Sequence, residues 1–336
     1  MKLFRRPFAS YTRLVIAEAL IITFITLSSL PSAASATLRG NVSPREVGGS
    51  AVVAAHAPLA GLIQVNTTSD ADNLDPNSGC DTDAATAGEQ CSLRAAIQRA
   101  NALAGDDEIN FNIPSTQPNC SPGGEHCTIN LTKALPDLST NIAIISPGID
   151  KIGVRRNSAT EFGIFHVVSG SNVILSGLRI ANGKSTIIPG AAVMHDGTGV
   201  VNVIDSIVVD NFGGGGGNGG AMSNNSSGTL NVINCTIADN QVTNSGGGLM
   251  QAGIGTLNVL GSLILRNTVN APQVTNAKSS GGGITNVNQG TVNITNSVVA
   301  DNIVRGGDPA LRADRPTADG RSDPDERAGP MRRIAH

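Results

Sequence analysis

Four segments of this chain align with one another without a gap. They are Gly199-Val-Val-Asn-Val-Ile-Asp-Ser-Ile-Val-Val-Asp-Asn211, Gly228-Thr-Leu-Asn-Val-Ile-Asn-Cys-Thr-Ile-Ala-Asp-Asn240, Gly255-Thr-Leu-Asn-Val-Leu-Gly-Ser-Leu-Ile-Leu-Arg-Asn267 and Gly290-Thr-Val-Asn-Ile-Thr-Asn-Ser-Val-Val-Ala-Asp-Asn302. Their closing asparagines are 29, 27 and 35 residues apart. Self-similarity at such a period marks a solenoid, in which each unit buries its apolar side against the next. Within a unit apolar and polar residues alternate, as in Leu230, Asn231 and Val232, the period of a strand with one buried face. The strands therefore stack on their equivalents one coil away. Val201, Leu230, Leu257 and Val292 form one expected inward column; Val203, Val232, Val259 and Ile294 form a second; and Val208, Ile237, Ile264 and Val299 form a third. A narrow coil lined by aliphatic rungs has little room for rings, in keeping with an aromatic content of 2%.

Two kinds of corner recur. Asn211, Asn240, Asn267 and Asn302 read as a stacked side-chain ladder at a turn, where Asn bonds neighbouring backbone and tolerates left-handed dihedrals. Gly246-Gly247-Gly248 and Gly281-Gly282-Gly283 suggest turns with positive φ. Upstream, residues 62–65 and 108–113 read as strands. Between them Leu93, Ala96, Ile97, Ala100 and Leu103 have helical spacing, with Ser92 as N-cap and Gly105 as a stop. An uncovered solenoid end is apolar, so this helix is expected to cap the first coil. The reading is an all-β parallel solenoid over about residues 106–304, with an N-terminal α-helical cap over 62–105 and a linker over 37–61.

The first 36 residues read as a secretory signal: a basic start, an apolar run from Ala19 to Leu30, and Ala34-Ser35-Ala36 as the cleavage site. Four basic and one acidic side chain lie in it, so removal takes the formal charge from −3 to −6. No membrane span is expected in the mature chain. A charged fraction of 15% without a basic excess gives no footprint for nucleic acid. In an oxidising compartment Cys80 pairs with Cys91 and Cys120 with Cys127, leaving Cys235, which occupies the position of Ser206, Ser262 and Ser297 in other units and reads as a small buried thiol. From Arg305 to His336 the chain carries seven basic and six acidic residues in 32, with four prolines and no recurrent apolar position. That segment is expected to be a disordered tail, or an out-of-frame end to an array cut short.

Cys91-Ser-Leu-Arg-Ala-Ala-Ile97, preceded by a Cys in an Asp-rich loop and followed by Ala100-Asn101 and a Glu-Ile-Asn-Phe strand, resembles the N-terminal CSLREA motif of secreted bacterial proteins. The repeats resemble those that follow the motif in that family. Ala95 replaces the motif's Glu, which would complete a capping box with Ser92. The resemblance implies a right-handed parallel β-helix of the pectate-lyase-like type, secreted or held at a bacterial cell surface. It implies no particular chemistry: most members have no assigned reaction and some carry adhesin-like arrays, whereas other β-helix families cleave acidic polysaccharides.

Two functions follow from this reading. The first is a noncatalytic solenoid with no cofactor, whose long face meets extracellular glycans or another cell surface. The alternative is a Ca²⁺-dependent polysaccharide lyase or glycoside hydrolase, which needs clustered carboxylates around the ion and a nearby base. Its candidate residues are Asp196, Asp205, Asp239 and Arg266. Asp210, Asp239 and Asp301 recur before the ladder Asn, as turn residues would. His195-Asp196 and Arg266 break the repeat, but Arg266 lies one coil from Asp239, where a surface pair is the simpler outcome. Gly183-Lys184-Ser185 lacks the rest of a phosphate loop, the glycine run 213–217 reads as an extruded loop, and His166 as an outward strand residue.

Overall fold

A computed structural model describes residues 61–186, 189–214, 219–243, 245–271 and 281–306. The expected signal segment, the linker up to residue 60, most of the glycine run and the tail from 307 lie outside the described residues. The described chain winds through four sheets in which every strand pairing is parallel. The first sheet has eight strands, from Gly61–Val65 and Asp106–Phe111 through Thr229–Ile233 and Thr256–Leu260 to Thr291–Thr295. The second has seven, from Cys127–Leu131, Ile152–Arg156 and Leu178–Ala181 to Val298–Ala300. The third and fourth have five each, running from Phe165–Val167 to Ile284–Asn286 and from Lys184–Ser185 to Ile303–Gly306. This is a parallel β-helix.

The register is the one the repeats imply. Val201 faces Leu230, Leu230 faces Leu257, and Leu257 faces Val292; Val232 sits beside Val259. The inward columns are closed to solvent until the last coil, where Ile294 is 49% and Val299 45% exposed. The extra length of the 35-residue unit lies between Ala271 and Gly281, away from the aligned strands.

Five successive coils each turn through one left-handed residue at two of their corners. Between the first and second sheets this residue is Gly177, Asp205, Asn234, Gly261 or Asn296; between the second and fourth it is Asn182, Asp210, Asp239, Arg266 or Asp301. The left-handed residue is thus the one before each ladder Asn, not the Asn itself. Asp and Asn tolerate that conformation because a short polar side chain bonds locally, which accounts for the recurring Asp. The expectation for the glycine triplets also needs correction. Of the six, only Gly246 has positive φ. At the others the backbone packs too closely for a side chain: a Cβ on Gly247 would lie 2.1 Å from the Gly282 carbonyl oxygen of the next coil, and one on Gly281 2.0 Å from the Ile284 carbonyl oxygen of its own.

The N-terminal unit differs from its expected boundaries. Gly61–Val65 already belongs to the first sheet, pairing with Asp106–Phe111, so the solenoid begins before the helix rather than after it. The helix, Leu93–Ala102, is inserted between the first two rungs and buries Leu93, Ala96, Ile97 and Ala100 in the same core as Ile63, Val65 and Ile109. Ser92 caps it, accepting from the Ala95 N–H at 3.0 Å. Arg94 of the motif is 2% exposed and clasps the preceding loop, with Nη2 2.7 Å from Asp70 Oδ1 and its two terminal nitrogens donating to the carbonyls of Lys133 and Ala134. At the other end, Arg305 and Gly306, assigned to the tail by sequence, complete the strand Ile303–Gly306.

Candidate functional site

The side chains singled out for chemistry are dispersed by the winding of the chain. Asp205 occupies the corner after a first-sheet strand and Asp239 the corner after a second-sheet strand. Asp196 follows the third-sheet strand Val193–His195. They stand at three different corners of the coil. Asp239 is engaged by Arg266 from the next coil through two hydrogen bonds, Nε to Oδ1 at 2.8 Å and Nη2 to Oδ2 at 2.6 Å. That contact raises the Arg266 pKa, first through the hydrogen bond and then through the charge of Asp239. Such an exposed pair contributes little to stability. Arg266 itself has the left-handed backbone of that corner (φ 52°). Among the described residues no group of three or more His, Cys, Asp or Glu side chains is placed to hold a metal ion.

Asp196 joins a small cluster that sequence inspection did not assemble. His166 points outward and places Nδ1 2.9 Å from Asp137 Oδ1 and Nε2 3.1 Å from Asp196 Oδ2. Asn225 donates to the other Asp196 oxygen at 2.9 Å. The cluster ties together successive coils, because His166, Met194 and Ser223 are stacked in register. Its separate members, twenty-nine and thirty residues from His166, were visible as a recurrence at the repeat period.

His195, the neighbour of Asp196, faces the other way. It is fully buried, and among the described residues neither ring nitrogen has a partner in good hydrogen-bond geometry, Asn224 being the polar side chain beside it. Burial lowers its pKa, against opposing pulls from Asn224 and Asp196. In the next coils its position is filled by Asn224, Gln251 and Asn286. There Asn224 donates to the Gly228 carbonyl and to Gln251 Oε1, and Gln251 donates to the Gly253 carbonyl. His195 is the rung where this inner polar column fails to close. Asp107, in the second rung of the first sheet, is likewise fully buried with both oxygens unpartnered, and burial raises its pKa.

The asparagine ladder is present. Asn211, Asn240 and Asn267 each donate from Nδ2 to the Oδ1 of the next Asn, at 2.9–3.0 Å, and that same Oδ1 accepts the backbone N–H of the residue before it in the ladder. It ends at Gly183, whose N–H bonds Asn211 Oδ1 and whose Cβ, if present, would lie 2.0 Å from the Ala191 carbonyl oxygen. A second ladder on the outer face of the first sheet links Asn202, Asn231, Asn258 and Asn293 at 2.8 Å per step. It was legible in the aligned units as a second invariant Asn. Both expected disulfides are formed, and Cys235 is buried. The thiol is held at the serine position of the other coils and contacts the Val203 and Ile233 carbonyls, while burial pushes its pKa up to about 12.

A shallow concavity lies elsewhere, on the outer face of the second sheet. It has a volume of about 410 Å³, and His126, Thr128, Gly153, Arg155, Arg179 and Asp210 contribute to its lining. Gly153 lies beneath His126 and Thr128: a Cβ there would come within 3.1 Å of His126 Nε2 and 3.4 Å of the Thr128 hydroxyl. His126 is fixed by Nδ1 against the Asp150 carbonyl at 2.6 Å and by Nε2 against the Thr128 hydroxyl at 3.0 Å. A carbonyl only accepts, so Nδ1 carries a proton. Arg155 and Arg179 stand on adjacent strands, two residues out of register, since Arg155 faces Ala181 and Gly153 faces Arg179. Among the described residues the Arg155 guanidinium has no bonded partner, and the nearest carboxylate to Arg179 is Asp150 at 3.8 Å. No cysteine, motif or repeat singled out this groove in the sequence, because it is lined by His126 and by two arginines 24 residues apart. Compared with protein-family models, with curated proteins and with solved structures, the chain finds no match in any of the three.

Proposed function

We propose that this chain is an exported, noncatalytic β-helix whose outer faces serve extracellular interaction, with glycans or another cell surface as the partner. The observation that carries the reading is the dispersal just described. Asp196, Asp205 and Asp239 stand at three corners, and two of them are already engaged by His166 and Arg266. A catalytic set has to converge on one reacting bond, with acid and base within hydrogen-bond reach of it. A binding surface has no such requirement and can be spread over many rungs. The secretory signal, the CSLREA-like segment and the two disulfides support the extracellular location.

The test is a screen of the purified chain, with and without Ca²⁺, for release of reducing or unsaturated sugar from pectin, alginate and related polymers. No turnover is expected. Turnover that disappears when Asp196, Asp205 or Asp239 alone is changed would establish the lyase or hydrolase alternative instead.

A further inference from the structure

We infer that the outer face of the first sheet, over its last four rungs, is a binding surface for ice; this goes beyond the reading above and does not depend on the partner proposed there. The strands Val200–Ile204, Thr229–Ile233, Thr256–Leu260 and Thr291–Thr295 stack in register, so their outward side chains form three straight columns. One is threonine, with Thr229, Thr256 and Thr291 following Val200. The second is the outer Asn ladder. The third is aliphatic, Ile204, Ile233 and Leu260, and ends in Thr295. None of these outward positions carries a charged or aromatic side chain, and all are half-exposed or exposed.

The hydrogen-bonding capacity of this face is fixed in direction and only partly used. Each ladder Asn donates one Nδ2 hydrogen to the Oδ1 of the Asn one coil back, always at 2.8 Å. An amide has two N–H donors and two acceptor lone pairs, so Asn231 and Asn258 each keep one of either kind. The constant step holds successive rungs at one offset, as side-chain ladders do in sheets that stay flat. Among the described residues the hydroxyls of Thr229, Thr256 and Thr291 bond no protein group, and their branched side chains are stiff at χ1. The result is a two-dimensional net, about 4.8 Å from rung to rung and about 6.6 Å from the threonine column to the asparagine column. A charged ligand meets no counter-charge on it, and a sugar ring meets no aromatic face. A partner that itself repeats in two dimensions suits the net. The oxygen rows of ice recur at nearly the rung interval in one direction and somewhat beyond the column interval in the other. At the melting point liquid water and ice have the same free energy, so an ice-like layer held on prearranged donors and acceptors carries little of the immobilisation cost of an ordinary bridging water. Charged groups would impose hydration shells of their own, and this face has none.

The experiment follows single ice crystals and recrystallising ice in solutions of the full exported chain, and measures how much fluorescently labelled chain is taken up by a slowly growing ice hemisphere. Faceted crystals, a gap between melting and growth temperatures, and uptake into ice are expected. Thr256→Lys, which puts bulk and charge at the middle of the face, should raise the concentration needed to halt recrystallisation at least tenfold. Thr256→Val, which keeps the shape, should retain most of the activity. Leu263→Lys, at an exposed position of the second sheet, should behave as the parent does. Thr229→Lys is an independent check if Thr256→Lys folds poorly, with folding read from circular dichroism and the thermal midpoint. Rounded crystals and no uptake with the folded chain, activity untouched by both threonine-to-lysine changes, or equal loss in Leu263→Lys would overturn the inference. Retention on crystalline cellulose or chitin together with exclusion from ice would also overturn it, assigning the face to a neutral polymer and leaving the extracellular-binding reading in place.

Discussion

At the scale of single residues, polar side chains inside a narrow coil succeed or fail according to whether the next rung completes them. Asn240 accepts from the Asn211 N–H and side chain, and its own Nδ2 donates to the Val208 and Ala238 carbonyls and to Asn267. Asn240→Ala strands several buried groups at once, at about 1–3 kcal/mol for an unsatisfied donor or acceptor. The expected loss is about 3–5 kcal/mol by urea denaturation, at the high end for a point change. Asn302→Ala, at the half-open last rung, should cost under about half as much by the same mechanism. His195 is the complementary case. Its folded pKa lies below the ordinary 6.5 because burial disfavours the charged ring. The unfolded state therefore binds the proton more readily, so the proton-linked cost of His195 is absent above pH about 6.5 and grows progressively as pH falls through the depressed folded value. His195→Asn should place the side chain of the next coil at this rung. Its thermal midpoint should fall less than the parent's between pH 7 and pH 5, and an unchanged pH slope would refute the assignment.

At the scale of elements, the ten-residue helix cannot stand on its own propensity, since isolated helices shorter than about 12–15 residues are marginal. It is held by an apolar face against the first rung and by Arg94 against Asp70. Arg94→Ala removes one member of a buried pair and leaves the Asp70 carboxylate, which also accepts from Thr132 at 2.7 Å, without its cation. The expected cost is about 3–5 kcal/mol. Asp70→Asn in the same background should recover part of it in a double-mutant cycle. The motif that resembles a family signature is thus a structural clasp in this chain: its Cys closes a disulfide, its Ser caps the helix and its Arg locks the loop. Ala95, where the motif has Glu, is fully buried, so a carboxylate at this point would have to displace packing. Ser92 alone supplies the cap.

For the molecule as a whole, stability in a solenoid is a sum of coils and their interfaces, and this one is covered at one end only among the described residues. The apolar columns run from the helical cap to a last coil in which Ile294, Val298, Val299 and Ile303 are 44–50% exposed. Hydrogen exchange should therefore show a gradient, with amides of Thr291–Thr295 and Val298–Ala300 exchanging through local opening and those of Val173–Ser176 only on global unfolding. One column makes the same point by mutation. Ile264→Ala, in a fully buried rung, should cost about 2–5 kcal/mol. Val299→Ala, one coil on, should cost less than about 1 kcal/mol because much of its surface is already in water. Equal costs at the two positions would mean that the final coil is covered.

The repeats by themselves determined the winding of the chain. A period-2 pattern recurring at about one coil length has a single economical solution, parallel stacking of like on like, and the columns, the Asn ladder and the buried Cys235 all follow from alignment alone. The cap helix was legible for the same reason, because local periodicity and an N-cap are written in consecutive residues. The tertiary structure decided what depends on distance across coils. It placed the strand Gly61–Val65 ahead of the helix yet beside Asp106–Phe111, a pairing between segments more than forty residues apart that no local pattern encodes. It moved the left-handed turn from the asparagines to the residues before them, since φ is set by how the corner closes. It separated Asp196, Asp205 and Asp239 onto three corners, although in sequence they lie within one or two repeats. It also brought His126, Arg155 and Arg179, from three separate parts of the chain, to one groove. Proximity across a solenoid is governed by position within the coil rather than separation along the chain, and that phase is known only once every turn has been closed.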